Sequence, residues 1–132
     1  MTQEEKQLLL KDLCGRLPYF ENWVQYEGKD YIVTGYGHGR VSLLPSVFSS
    51  IGGPCPLVEE VKPYLRPMSS MTEEEQRTLD SMCNGVEMVS RLSGLKMFDK
   101  AFDWLYSKHL DIHGLIEKGL ALEAPKDMYK TE

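Results

Sequence analysis

Val58-Glu59-Glu60-Val61-Lys62-Pro63-Tyr64-Leu65-Arg66-Pro67-Met68-Ser69-Ser70-Met71-Thr72-Glu73-Glu74-Glu75 separates two halves of different character. Val58 to Val61 suits a single helical turn. Pro63 and Pro67 fix their own φ, remove two backbone donors and push Lys62 and Arg66 toward extended geometry. Thr72, with Glu75 three residues on, is a capping box. Glu73, Glu74 and Glu75 lie on the positive end of the helix dipole that begins there, which accounts for them without any acid–base role. The stretch reads as a rigid joint in a longer loop-and-joint region, 45–71, and nothing in it indicates a reaction.

Toward the N-terminus, Thr2 and Glu5 form another capping box. Leu8, Leu9, Leu10 and Leu13 supply one apolar stripe. Gly15 suits the left-handed position that ends a helix, and Pro18 prevents continuation, so a helix is predicted over about 3–14, within a segment 1–15. Residues 22–44 are rich in β-formers: Trp23, Val24, Tyr26, Tyr31, Ile32, Val33, Tyr36, Val41 and Leu43. Turn residues at Glu27-Gly28-Lys29-Asp30 and Gly37-His38-Gly39 divide them into strands of about 22–27, 30–36 and 40–44. Pro45 to Pro56, with its serines, glycines and Cys55, reads as loop.

Toward the C-terminus, residues 72–122 read as a helical half. Leu79, Met82, Cys83, Val86 and Val89 keep helical spacing. Asn84-Gly85 interrupts them and is also a strong hairpin signal. Val86–Leu92 is therefore helix or strand, with helix to about 91 favoured and Ser93-Gly94 as its break. A third helix is predicted over about 97–109, burying Phe98, Ala101, Phe102 and Leu105. Leu115 to Lys118 suits a short helix ended by Gly119. Leu120-Ala121-Leu122 suits an edge strand, and the polar tail 125–132 is expected to fray. The expected fold is α+β: one domain, 1–132, with an antiparallel meander of about three strands packed against N-terminal and C-terminal helices.

The chain has 132 residues and a net charge of −5. Its fifteen Lys and Arg are scattered, which argues against a nucleic-acid backbone as partner. Its apolar runs are too short to span a bilayer. The charged start is unlike a secretory leader. Three dispersed cysteines, Cys14, Cys55 and Cys83, point to a reducing, cytoplasmic setting.

Candidate chemistry is sparse. His109, Asp111 and His113 share one face if extended, and the two histidines share one if helical, so two imidazoles and a carboxylate suit zinc or a non-haem metal, and the alternative reading of the function is a small metal-binding protein or enzyme using them. The alternative is a polar helix end with Asp111 capping the next turn. Gly35-Tyr36-Gly37-His38-Gly39-Arg40 offers bare backbone and a cation to a phosphate, yet strand residues rather than a helix follow it, which favours a hairpin tip. Cys14 and Cys83 read as small core residues and Cys55 as the exposed thiol. Trp23, Tyr26, Tyr31 and Tyr36 read as sheet cover rather than a binding face. Tyr64, Arg66 and Met68 are the candidates for a partner surface, because Arg and aromatic residues anchor interfaces. No cofactor is expected, and the residues favour a non-enzymatic protein.

The quoted stretch also resembles a family of small proteins of gut Bacteroides and their prophages and mobile elements. So do the opening Met1 to Lys6 and Asp12 to Tyr19, Asp103-Trp104-Leu105 followed by His109 and Asp111, Gly114-Leu115-Ile116-Glu117-Lys118-Gly119-Leu120-Ala121-Leu122-Glu123-Ala124-Pro125, and the closing Met128-Tyr129. The resembling blocks cover about half of the chain. The family shows Asp-Tyr-Arg-Gly where this chain has Asp111-Ile112-His113-Gly114, and lacks the Gly-Tyr-Gly-His-Gly segment, which weakens any site built on His113 or His38. The resemblance implies no particular reaction. It implies an interaction or accessory protein of a phage or mobile element, with an unknown protein as partner. An antitoxin-like or inhibitory role is a further option.

Overall fold

The computed structural model describes residues 2–19, 22–45, 53–83, 91–125 and 128–129, the side chains of 83 and 91–98 excepted. Helix α1 spans Gln3–Arg16. Thr2 Oγ1 accepts the Glu5 N–H at 3.1 Å, and the Glu5 carboxylate accepts the Thr2 N–H at 3.2 Å. The helix passes through Gly15 instead of ending there. A Cβ on Gly15 would lie 2.7 Å from the Tyr106 ring, so the glycine serves close approach rather than termination.

Strands β1 (Trp23–Tyr26), β2 (Lys29–Gly37) and β3 (Arg40–Leu44) form the expected antiparallel meander. Both connections are two-residue turns with positive φ at each residue: 51° and 77° at Glu27-Gly28, 54° and 77° at His38-Gly39. Such turns match the right-handed twist of the flanking strands.

The sheet does not stop at three strands. Lys62–Leu65 is β4, antiparallel to β1, and Leu122–Glu123 is β5, parallel to β4. The order is β3-β2-β1-β4-β5, a mixed five-stranded sheet. The quoted joint is therefore partly an interior strand. Proline discourages reading a strand because it cannot donate to a ladder; here Pro63 pairs with Val24 and is buried. Val58–Glu60 is a 3₁₀ turn, as its residues suggest. The segment 53–57 runs along the outer edge of β3, where Val41 and Leu43 donate to Pro56 and Pro54 at 2.9 and 3.2 Å.

One face of the sheet packs on α1. Leu9 and Leu13 meet Val24, Val33, Val41, Leu43, Val61 and Leu65, with Leu115, Leu120 and Ala121 closing the cluster. Full burial of one such Leu or Val contributes on the order of 2 kcal/mol, so this cluster is the main source of stability.

Helices α2 (Glu73–Cys83) and α3 (Arg91–Ser107) pack on one another. The helix-or-strand question at Val86–Leu92 falls mostly outside the described residues, but Leu92 is helical and Ser93-Gly94 does not break α3. One glycine costs a helix only about 1 kcal/mol, less than tertiary packing supplies. Residues 115–118 make turns rather than a short helix, ended by Gly119 at φ +75°. In the tail, expected to fray, Tyr129 is 7% exposed.

Arg66 joins the two halves. Its N–H donates to His109 O at 2.7 Å, and its carbonyl accepts the Asp111 N–H at 2.8 Å. Its guanidinium takes Glu75 in both prongs, at 2.9 and 2.7 Å. It also donates to the carbonyls of Lys108 and Ser70, each at 3.3 Å. Glu75 in turn accepts the Thr72 N–H at 3.0 Å. One side chain thus fastens the end of β4, the start of α2 and the end of α3.

Removing one member of such a buried pair leaves an uncompensated charge. Arg66→Met is expected to lower the unfolding free energy by about 3–5 kcal/mol. Adding Glu75→Leu should restore part of that loss in urea denaturation, because both charges then vanish and only the cap and carbonyl bonds remain missing. A double variant no more stable than Arg66→Met would contradict this account.

Candidate functional site

The three residues with metal-ligand spacing do not converge. His109 ends α3 in left-handed backbone, φ 61°, and its ring stacks on Tyr129 at 3.7 Å and 7°. Asp111 is buried, and its carboxylate accepts the N–H groups of Leu115 and Ile116 at 2.8 and 3.1 Å. His113 Nε2 meets the Tyr106 hydroxyl at 3.0 Å. Each group serves a separate local purpose. Among the described residues no group of three or more His, Cys, Asp or Glu could hold a metal ion. This corrects the metal reading of His109, Asp111 and His113. Alternate spacing aligns side chains only in regular structure, and the chain turns sharply at His109.

Tyr64 and Arg66 are also not surface groups: they are 8% and 6% exposed, whereas Met68 is 37% exposed. The Tyr64 hydroxyl donates to Asp30 at 2.6 Å and accepts from Gln25 at 3.2 Å. An arginine and a tyrosine fit an interface anchor and a buried network equally well in sequence; their partners decide. Trp23, Tyr26 and Tyr31 are half-buried, as sheet cover should be, whereas Tyr36 is 37% exposed. Arg40, at the glycine-rich tip, donates to Cys55 O at 2.9 Å. Cys55 is exposed as expected, but so is Cys14, which points away from the core face of α1.

The most developed polar arrangement lies where α1 ends, β1 begins and α3 ends. Arg16 holds Asp12 through Nε and Nη2 at 2.8 and 2.9 Å, both side chains being buried. Nη2 also donates to Leu110 O at 2.5 Å. The guanidinium lies 5.1 Å from the centre of the Tyr106 ring. Asn22 donates to Arg16 O and Tyr19 O at 2.6 and 2.9 Å. Asp12 and Arg16 stand at i and i+4 beside Leu9 and Leu13. That charged pair on an apolar stripe is a signal the sequence carries, and reading the stripe alone passes over it.

Tyr129 completes the corner. Its hydroxyl accepts the Trp23 N–H at 3.1 Å and donates to Tyr64 O at 3.0 Å. The β1–β4 register pairs Val24 with Pro63, so Trp23 and Tyr64 form the next rung. The phenol bridges the two strands at that rung. No local pattern in the tail announces this.

Electrostatically the groups are set for structure. Burial pushes His109 down to about 4, aided by the charges of Arg16 and Arg66, so the imidazole is neutral near pH 7. The Arg66 guanidinium holds Glu75 down to about 2. Burial raises the Tyr106 phenol, the opposite of an activated nucleophile or base.

Two outcomes follow. His109 has a folded value below its unfolded one, so its contribution is fully present above about pH 6.5 and is lost as pH falls toward 4. The loss is on the order of 3 kcal/mol. His109→Phe keeps an aromatic stack and should flatten the urea midpoint across that window. The Glu75 contribution is present above 4.5 and is lost on further acidification toward 2, so the steepest loss in the variant should move to lower pH. Separately, Tyr129→Phe should cost about 1–3 kcal/mol, because it strips partners from two backbone groups between the strands. An unchanged denaturation midpoint would contradict the bridging role.

Comparison of the chain with family models, with curated proteins and with solved structures returns no match.

Proposed function

We propose that the chain is a non-enzymatic interaction or accessory protein of a phage or mobile element, working in the cytoplasm on a protein partner. The observation that carries this reading is Phe102. It stands 46% exposed on α3, although it falls beside a stripe of buried Ala101 and Leu105. The spacing of apolar residues predicts burial for it; a helix step of about 100° turns it away from that stripe. An exposed aromatic on an element whose foot is locked by Arg66 and Glu75 is a preorganised anchor, which lowers the ordering cost of binding. Met68, 37% exposed, stands near that foot and adds an adaptable apolar contact.

The resemblance to small proteins of gut Bacteroides and their mobile elements supports the biological setting. Free Cys14 and Cys55 support a reducing compartment. Among the described residues no helix is long and apolar enough to cross a membrane.

The test uses the full chain as bait in lysate of a Bacteroides host, wild type beside Phe102→Glu. Circular dichroism should be identical for the two. The expected result is a partner retained by wild type and weakened at least tenfold by Phe102→Glu, the loss of one interface hot spot. A partner held equally by both would remove α3 from the interface. Recovery of no specific partner would remove the interaction reading itself.

A further inference from the structure

Helix α3 carries the exposed Phe102 beside two exposed carboxylates. Asp99 precedes Phe102 by three residues and Asp103 follows it directly. Helix positions three and four apart bring Cβ atoms within about 6 Å, so Asp99, Phe102, Asp103 and Tyr106 are neighbours on one side of α3. Lys100, two residues before Phe102, projects to the opposite side.

The patch is anchored to the rest of the fold. Tyr106 leans on Gly15, where a Cβ would lie 2.7 Å from its ring, and its hydroxyl meets His113 Nε2 at 3.0 Å. The Tyr19 phenol lies near both carboxylates: burial raises it first, followed by its hydrogen bond with Asp103 and the charges of Asp103 and Asp99. Among the described residues the ion pairs are Lys6 with Glu59, Asp12 with Arg16, Arg66 with Glu75 and Glu73 with Arg77, and none of them uses Asp99 or Asp103.

Two carboxylates beside an exposed ring favour a cation, and the net charge of −5 adds attraction of the same sign. Two such groups are too few for a metal centre, and among the described residues no third ligand joins them. A guanidinium suits the patch better than an ammonium. Its plane stacks on a ring, and its fixed fork has donors for both carboxylates at once. The fold contains this combination once already. Arg16 pairs with Asp12 and lies 5.1 Å from the centre of the Tyr106 ring. One turn along α3, Phe102 with Asp99 and Asp103 repeats the ring and the carboxylates, facing outward.

We propose that the Phe102 surface docks an arginine-bearing basic segment of the protein partner, with a guanidinium lying on the Phe102 ring and forking to Asp99 and Asp103. This rests on the reading of Phe102 as a partner anchor and adds the chemistry of what it anchors.

The test titrates the ¹⁵N-labelled full chain with the peptide acetyl-Gly-Arg-Arg-Gly-amide and with its Lys-Lys and Glu-Glu counterparts. Three variants accompany the wild type: Asp99→Asn with Asp103→Asn, Phe102→Leu, and Glu117→Gln with Glu123→Gln. The last changes the net charge by the same amount as the first, at exposed positions elsewhere. The expected results are amide shifts centred on residues 99–106, tighter binding of Arg-Arg than of Lys-Lys, and no response to Glu-Glu. The aspartate variant should bind Arg-Arg about tenfold more weakly, the loss of two exposed charge contacts. Phe102→Leu should also bind more weakly, and the glutamate variant should bind as wild type does. Absent or scattered shifts at millimolar peptide, Lys-Lys binding as tightly as Arg-Arg, equal losses in the two charge variants, or Phe102→Leu binding as wild type would each overturn the proposal. Shifts of the same amides on concentrating the protein without peptide would overturn it in favour of a second copy of the chain. A lysate partner that needs Phe102 but neither aspartate would overturn it while leaving the interaction reading intact. Peptide binding in the expected pattern supports it even where the lysate yields no partner.

Discussion

The buried pairing of Arg66 with Glu75 is the constraint on which the arrangement of this molecule depends. A β-sheet packed on one helix needs only apolar burial to form. A helical pair attached to it needs more, because its two ends must meet at a fixed place. Arg66 provides that place with its backbone as well as its side chain. The guanidinium suits this position because its planar fork satisfies a carboxylate and still has donors for two carbonyls. A lysine would deliver the charge without the geometry.

Such a pair is a weak source of net stability, since desolvating two ions offsets most of their attraction. Its effect is on specificity of arrangement. The apolar cluster around Leu9, Leu43 and Leu65 makes folding favourable. The ion pair selects where α2 and α3 stand, because any other docking would bury the two charges apart. Asp12 with Arg16 plays the same part beside it, fixing the end of α1 against the carbonyl of Leu110, the residue between the two that the Arg66 backbone holds.

What could be read in the sequence was whatever has a local cause. Both capping boxes, both hairpin turns and the three-strand meander rest on residues within a few positions of each other. What could not be read has a distant cause. Pro63 lies in a strand because β1 pairs with it from far upstream. Gly15 is small because Tyr106 leans on it. Phe102 is exposed because helix phase, and not hydrophobicity, sets its direction. The candidate site divides the same way. The alternation of His109, Asp111 and His113 is a local pattern, whereas the partners that separate them, Tyr129, the Leu115 amide and Tyr106, come from elsewhere in the fold. Asp12 with Arg16 is the exception, a tertiary anchor already visible as an ion pair on an apolar stripe.

The bridging phenol of Tyr129 bears on the order in which the chain acquires its structure. The meander can close early, since its turns are local and hairpins form within microseconds. The seam between β1 and β4 is different, because the group that spans it lies 106 residues beyond Trp23. Contacts of such sequence separation form late and slow folding as a whole. Until β4 pairs with it, β1 presents one finished edge and one with backbone groups still facing water, the kind of surface that invites pairing with another chain. Strand β4 covers that edge in the folded chain, and the Tyr129 phenol ties the tail to both strands of a sheet that the first third of the chain begins.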